Sequence, residues 1–147
     1  FVTKAQPAGV HSNAFNPVAM AVAMKAGFAA RSFSGMGDHL SKMIQEGIAH
    51  KGFAIIDVLQ PCVSFNKVNT FKWYKDRCRE VPVDYDPTNW EAAMKLAFQW
   101  DEVIPVGIIY RNDRPAFESF FPPCSRGPLR SQGVDLKKLN DIMMAYQ

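Results

Sequence analysis

The stretch IIDVLQPCVSFN, residues 55–66, sets a thiol directly after an apolar run. A cysteine there can do one of two things. As a thiolate it is a nucleophile or a metal ligand, and as a buried thiol it is a small hydrophobe. Cys78 and Cys124 complete the set, and no two of the three cysteines stand at CxxC spacing. His11, His39 and His50 are far apart, with no carboxylate or cysteine at ligand spacing, so they read as solvated surface rather than a zinc site. TKAQ, residues 3–6, offers a hydroxyl, an ammonium and an amide that suit a carboxylate or phosphate, or simply water. SGMG, residues 34–37, is either an anion-holding run of amides or a plain helix start. Arg126 and Arg130 in SRGPLRSQ could meet an acidic partner, but a solvated connector explains them as well. There is no P-loop, GxSxG or GxGxxG pattern.

The elements that position these groups can be read in order. Asn16 caps a helix that Pro17 opens and Gly27 stops. FAARSF, residues 28–33, is a short strand. Leu40, Met43, Ile44 and Ile48 give the next segment a helical apolar stripe ended by Gly52. FAIIDVLQ, residues 53–60, lacks polar alternation and therefore predicts a strand buried on both faces of a parallel sheet. Pro61 cannot donate to a ladder, so Cys62 should lie in the loop just past the strand's C-terminal end. Ligands of open α/β sheets bind at that end.

Further on, NTFKWYKDRC predicts about two turns of helix, and VPVDYDP an extended, Pro-rich connector. Thr88 to Glu91 reads as a capping box for a helix reaching about Gln99, and VIPVGIIYRND as another apolar strand. FPPCSRGPLRSQG has the content of a loop, and Asp135 caps a closing helix.

The 147 residues suffice for one core, with 48% hydrophobic and 21% charged residues and a net charge of +3. The basic residues are scattered, which argues against nucleic acid as a partner. Three cysteines do not make a disulfide scaffold, and no apolar run is long enough to span a membrane. A cytoplasmic location and no membrane partner are therefore expected. The start at Phe1 rather than Met raises the expectation of a fragment, and residues could also be missing between Gln6 and Asn16.

Taken in order, TKAQ, NPVAMAVAMKAGFAARSFSG, HLSKMIQEGIAHKGFAIIDVLQPCVSFNKVNTFKWYKDR and YDPTNWEAAMKLAFQWDEVIPVGIIYRNDRPAFE resemble the C-terminal half of the β subunit of 2-oxoacid:ferredoxin oxidoreductases. DVLQPCVSFN is the most specific block. The resemblance implies an α/β fold: the second half of a thiamine-diphosphate-binding domain in residues 1–66, a mostly parallel sheet flanked by helices, with a C-terminal extension in residues 67–147. It implies thiamine diphosphate, Mg²⁺ and a [4Fe-4S] cluster, with most ligands outside this stretch. It implies partners too: the other subunits of the oxidoreductase (α, or α, γ and δ), ferredoxin, a 2-oxoacid and coenzyme A.

By the same resemblance Cys62 is a cluster ligand. Thr3 lies beside the thiamine diphosphate, Val2 lines the pocket, and Lys4 faces the substrate carboxylate. The family usually has Gly where this chain has Phe1 and Ala5. Two other readings fit parts of the pattern. A non-oxidative thiamine-dependent decarboxylase would have no need of Cys62, and a non-catalytic α/β interaction domain would simply bury it.

Overall fold

The computed structural model describes residue 2 and residues 6–146. They form two compact units, residues 1–115 and residues 116–147, each taken here by itself.

The first unit is a four-stranded sheet in the order β2-β1-β4-β3, with strands β1 (Phe28–Phe33), β2 (Ala54–Leu59), β3 (Cys78–Glu80) and β4 (Ile104–Arg111). β1 pairs with β2 in parallel, Arg31 opposite Asp57, and β3 pairs in parallel with β4. The central β1–β4 pairing is antiparallel, with Arg31 opposite Gly107 and a register shift between Ala29 and Ala30. Two of the three pairings are thus parallel, and helices flank the sheet, as expected.

One expectation changes. β2 is an edge strand among those described and is mostly half-buried, whereas all six residues of β1 are buried. An unbroken apolar run signals burial on both faces but not the strand's rank in the sheet. β1, with its alanines, serine and arginine, is the shorter apolar run and yet the more deeply buried strand.

The helices form where local chemistry favours them. In α1 (Pro17–Ala23) the Asn16 Oδ1 accepts the Ala19 amide at 2.9 Å, and Pro17 opens the first turn. This helix ends at Ala23, before Gly27, because Lys25 takes a left-handed conformation (φ 51°). α4 (Trp90–Phe98) is capped by Asn89 rather than Thr88, since both the Thr88 amide and hydroxyl are held by Asp86. α3 (Phe71–Arg77) is capped by Thr70.

Packing divides by sheet face. α1 and α4 bury Val18, Val22, Ala93 and Ala97 with Ala29 and Ile109. On the other face α2 (Gly37–Ala49) contributes Met43 to a cluster with Phe28 and Ala30. Ile44 and Ile48 of its predicted stripe are exposed, so the buried stripe is narrower than the sequence period suggested. Each fully buried Val, Phe or Ile in these clusters contributes about 1.5–3 kcal/mol. The Trp90 indole donates to the Val22 carbonyl at 2.8 Å, which joins α4 to the end of α1.

Polar groups tie the same face together at one end. Arg31 is fully buried; its Nε donates to Asp57 Oδ2 at 3.3 Å and its Nη2 to the Ala97 carbonyl at 3.1 Å. Asn16 Nδ2 donates to that same carbonyl at 2.9 Å. Burial pushes the guanidinium below its ordinary range while Asp57 works against that shift, and an arginine so paired stays charged.

The second unit holds three 3₁₀ turns (Phe117–Phe120, Pro122–Arg126 and Leu129–Ser131) and α5 (Leu136–Ala145), capped by Asp135 as expected.

Gly107 sits in β4 at φ 137°, and a Cβ there would lie 2.6 Å from Val81 Cγ2. Gly107→Ala should therefore cost more than about 2 kcal/mol in chemical denaturation, from backbone strain and overpacking together. Gly37, at the open start of α2 with nothing within 4 Å of such a Cβ, serves as the control. Its alanine variant should match or slightly exceed the parent in stability.

Candidate functional site

β2 ends at Leu59, and Cys62 follows in the loop beyond its C-terminal end, where the sequence placed it. The chain then turns tightly, the Asn66 amide donating to the Cys62 carbonyl at 3.0 Å. Asn66 Oδ1 accepts the amides of Val68 and Asn69, both at 2.9 Å, which holds the loop without regular structure. Lys67 Nζ donates to the Val63 carbonyl, and the Thr70 hydroxyl then starts α3.

The Cys62 thiol is free and exposed, so it is not the small buried hydrophobe that one reading expected. Hydrogen bonds from the backbone amides of Phe65 and Ser64 hold it below the ordinary thiol range, outweighing slight desolvation, with Asn66 and the Lys67 charge adding to the effect. Amides gathered around a sulfur favour the thiolate, which is the form that attacks electrophiles and binds metals. Cys78 is the opposite case. It is buried against Phe33 and Ile104, and burial pushes its thiol up in spite of Arg31 and Arg79. Cys124, in the second unit, is free and partly exposed.

Among the described residues no group of three or more His, Cys, Asp or Glu could hold a metal ion. Cys62 would fit a cluster as a single corner, its sulfur exposed and its pKa lowered, and further ligands would have to come from outside the described residues. Nor do these residues include a carboxylate set for Mg²⁺. Val2 is exposed, while Thr3 and Lys4 lie outside the described residues.

Two histidines differ from the surface reading. His39 Nδ1 lies 2.8 Å from the hydroxyl of buried Ser32, and burial lowers its pKa below 6.5, outweighing the pull of Glu80. His50 packs its ring against Phe28 at 5.7 Å. A polar position on a helical wheel does not reveal a strand passing alongside it. Two of the four SGMG amides are already engaged: the Ser34 amide donates to the Leu59 carbonyl and the Met36 amide to the Phe33 carbonyl. Sequence reading also passed over Arg31 and Asp57. Opposite charges in the middle of two apolar strands were the available signal.

The sheet with helices on both faces and the thiol beyond a strand's C-terminal end define an α/β protein. Residues 62–126 match the sequence family described as the C-terminal region of the pyruvate ferredoxin oxidoreductase beta subunit, the match opening at Cys62 itself. A 2-oxoacid:ferredoxin oxidoreductase subunit beta from Aeropyrum pernix is 41% identical over 120 residues, which cover 74% of this chain and 38% of that protein. The corresponding subunit from a Sulfolobus species is 35% identical over 119 residues, covering 73% of this chain and 39% of the relative. In three dimensions, 97% of the chain matches 49% of a chain of 2-oxoglutarate:ferredoxin oxidoreductase from Magnetococcus marinus, solved with 2-oxoglutarate, coenzyme A and succinyl-CoA bound, at a TM-score of 0.81 and 26% identity. The chain belongs to the family of 2-oxoacid:ferredoxin oxidoreductase β subunits. It spans about two fifths of the length of these curated relatives.

The contrast between the cysteines has a direct readout. Iodoacetamide added to the native chain at neutral pH should alkylate Cys62 first. Cys78 should stay unlabelled until denaturant is added, because it is both buried and raised in pKa. Peptide mass mapping over time checks the order, and early labelling of Cys78 would contradict the packing described here.

Proposed function

We propose that this chain forms part of the catalytic β subunit of an oxidoreductase that converts a 2-oxoacid and coenzyme A to an acyl-CoA and CO₂. Electrons leave through a [4Fe-4S] cluster to ferredoxin, and other subunits complete the enzyme. The observation that carries the reading is the exposed, amide-supported Cys62 at the start of the family match.

Thiamine diphosphate, held with Mg²⁺, would supply the electron sink that allows a 2-oxoacid to lose CO₂. This chain's own contributions are narrower. The loop after β2 presents one thiolate to the cluster, with amide hydrogen bonds to the sulfur of the kind that tune a cluster's potential. Asn66 and Thr70 keep that loop in shape. Lys4 is proposed to bind the substrate carboxylate, and Thr3 and Val2 to line the cofactor side of the pocket. A non-catalytic α/β interaction domain would have no use for an exposed thiol of lowered pKa. A non-oxidative decarboxylase would have no use for one supported in this way.

The test uses the complete enzyme purified without oxygen. Cys62→Ser should lose iron and ferredoxin reduction yet still release about one CO₂ per site in a single turnover, since bond breaking rests with the organic cofactor and electron exit with the cluster. Cys78→Ser and Cys124→Ser should keep both activities. Full iron content and normal ferredoxin reduction in Cys62→Ser would refute the assignment.

A second variant probes the N-terminal loop. Lys4→Ala removes a charge-assisted hydrogen bond worth about 1.5–3 kcal/mol, so the KM for the 2-oxoacid should rise roughly 10- to 100-fold with little change in cofactor affinity. Unchanged steady-state kinetics would remove Lys4 from the site.

A further inference from the structure

Beside the Arg31–Asp57 pair lies a cavity of about 410 Å³, with Phe15, Leu59, Phe98 and Trp100 among its other walls. It is built from α1's approach, β1, β2 and the end of α4, and it involves neither Cys62 nor its loop. Clefts of this size, mostly apolar with a few converging polar groups, are where small molecules bind.

Three features define what would fit. The Arg31 side chain is buried, yet its Nη1 has no hydrogen-bond partner among the described residues. A buried donor left unpaired is rare and calls for an acceptor. Asp57 spends one oxygen on Arg31 Nε and remains 20% exposed, so a carboxylate acceptor stands beside that donor. The pair is neutral overall, and an anionic group approaching it would meet the carboxylate. The surrounding rings are unusually open for aromatics, Phe15 being 69% and Phe98 63% exposed, while Trp100 lies 5.2 Å from the Arg31 guanidinium carbon. Open ring faces beside an adjacent donor and acceptor suit a flat, uncharged heteroaromatic ring.

We propose that this cavity binds the ring of an adenine derivative. The exocyclic amine would donate to Asp57, the neighbouring ring nitrogen would accept from Arg31 Nη1, and the ring face would stack on the aromatic walls. Among the Watson–Crick edges of the common purines, only adenine's has this order. In hypoxanthine the same two positions are reversed, so a carbonyl would face Asp57 and an N–H would face Arg31.

The chain titrated calorimetrically with adenosine and with inosine tests this. Adenosine should bind, and inosine should bind at least about tenfold more weakly, because its edge sets like against like. Trp100→Ala, which removes a partly exposed wall, should weaken adenosine at least about tenfold while the chain still unfolds in one cooperative thermal transition. Cys62→Ser should leave adenosine binding unchanged, so this site and the proposed cluster stand or fall separately. Competition between coenzyme A and adenosine, with pantetheine inert, would trace the ring to that coenzyme. Exclusion of coenzyme A with adenosine still bound would trace it to a free nucleoside. Absence of adenosine binding by a folded chain, equal binding of inosine, or indifference to Trp100→Ala would overturn the proposal.

Discussion

One buried guanidinium sets the geometry of the sheet and its neighbours. Arg31 lies in the middle of the fully buried β1, and from there it reaches Asp57 across the parallel pairing and the Ala97 carbonyl at the end of α4. Taking such a charge out of water is costly, and a paired geometry is what makes it tolerable. Loss of either partner of a pair this deep costs about 3–5 kcal/mol, a large share of the roughly 5–15 kcal/mol that holds a domain folded. The Ala97 carbonyl also accepts from Asn16, so a single oxygen joins the cap of α1, the core of β1 and the close of α4. Opposite Arg31 in the antiparallel pairing stands Gly107, where Val81 packs into the space a side chain would fill.

That constraint reaches the thiol through β2. Among the described strands β2 pairs with β1, and its register there is fixed at the Arg31–Asp57 pair. Two residues after Asp57 the strand stops, and Pro61 removes the donor a further rung would need. The chain leaves the sheet at a defined point, and the loop that follows is shaped by short-range hydrogen bonds from Asn66. The result is an anchored strand presenting an exposed sulfur. The cluster ligand proposed above would require both properties, fixed position and open access.

The second unit obeys different physics. Its 3₁₀ turns are stitched by local bonds, Gln132 donating to the carbonyls of Pro123 and Gly127, and Ser125 to that of Pro122. α5 carries Leu136, Leu139, Ile142 and Met143 at helical spacing, all exposed. Its cap and its turns hold it, while no buried residue of its own does.

Local signals in the sequence were enough to determine most elements. Asn16-Pro17 opened α1, Asp135 opened α5, and Pro61 placed Cys62 beyond its strand, because caps and prolines act on backbone groups only a few residues away. The ordered blocks around DVLQPCVSFN were also enough to indicate the family. Tertiary structure alone decided that β2 lies at the edge of the described strands, that β4 enters antiparallel beside β1, and that the three-residue β3 exists at all. It also decided that His39 meets Ser32, and that Arg31 is buried between partners 26 and 66 residues away. Neither periodicity nor propensity contains such information, because the burial of a charge depends on which distant groups arrive to satisfy it, and those arrive only when the chain is folded.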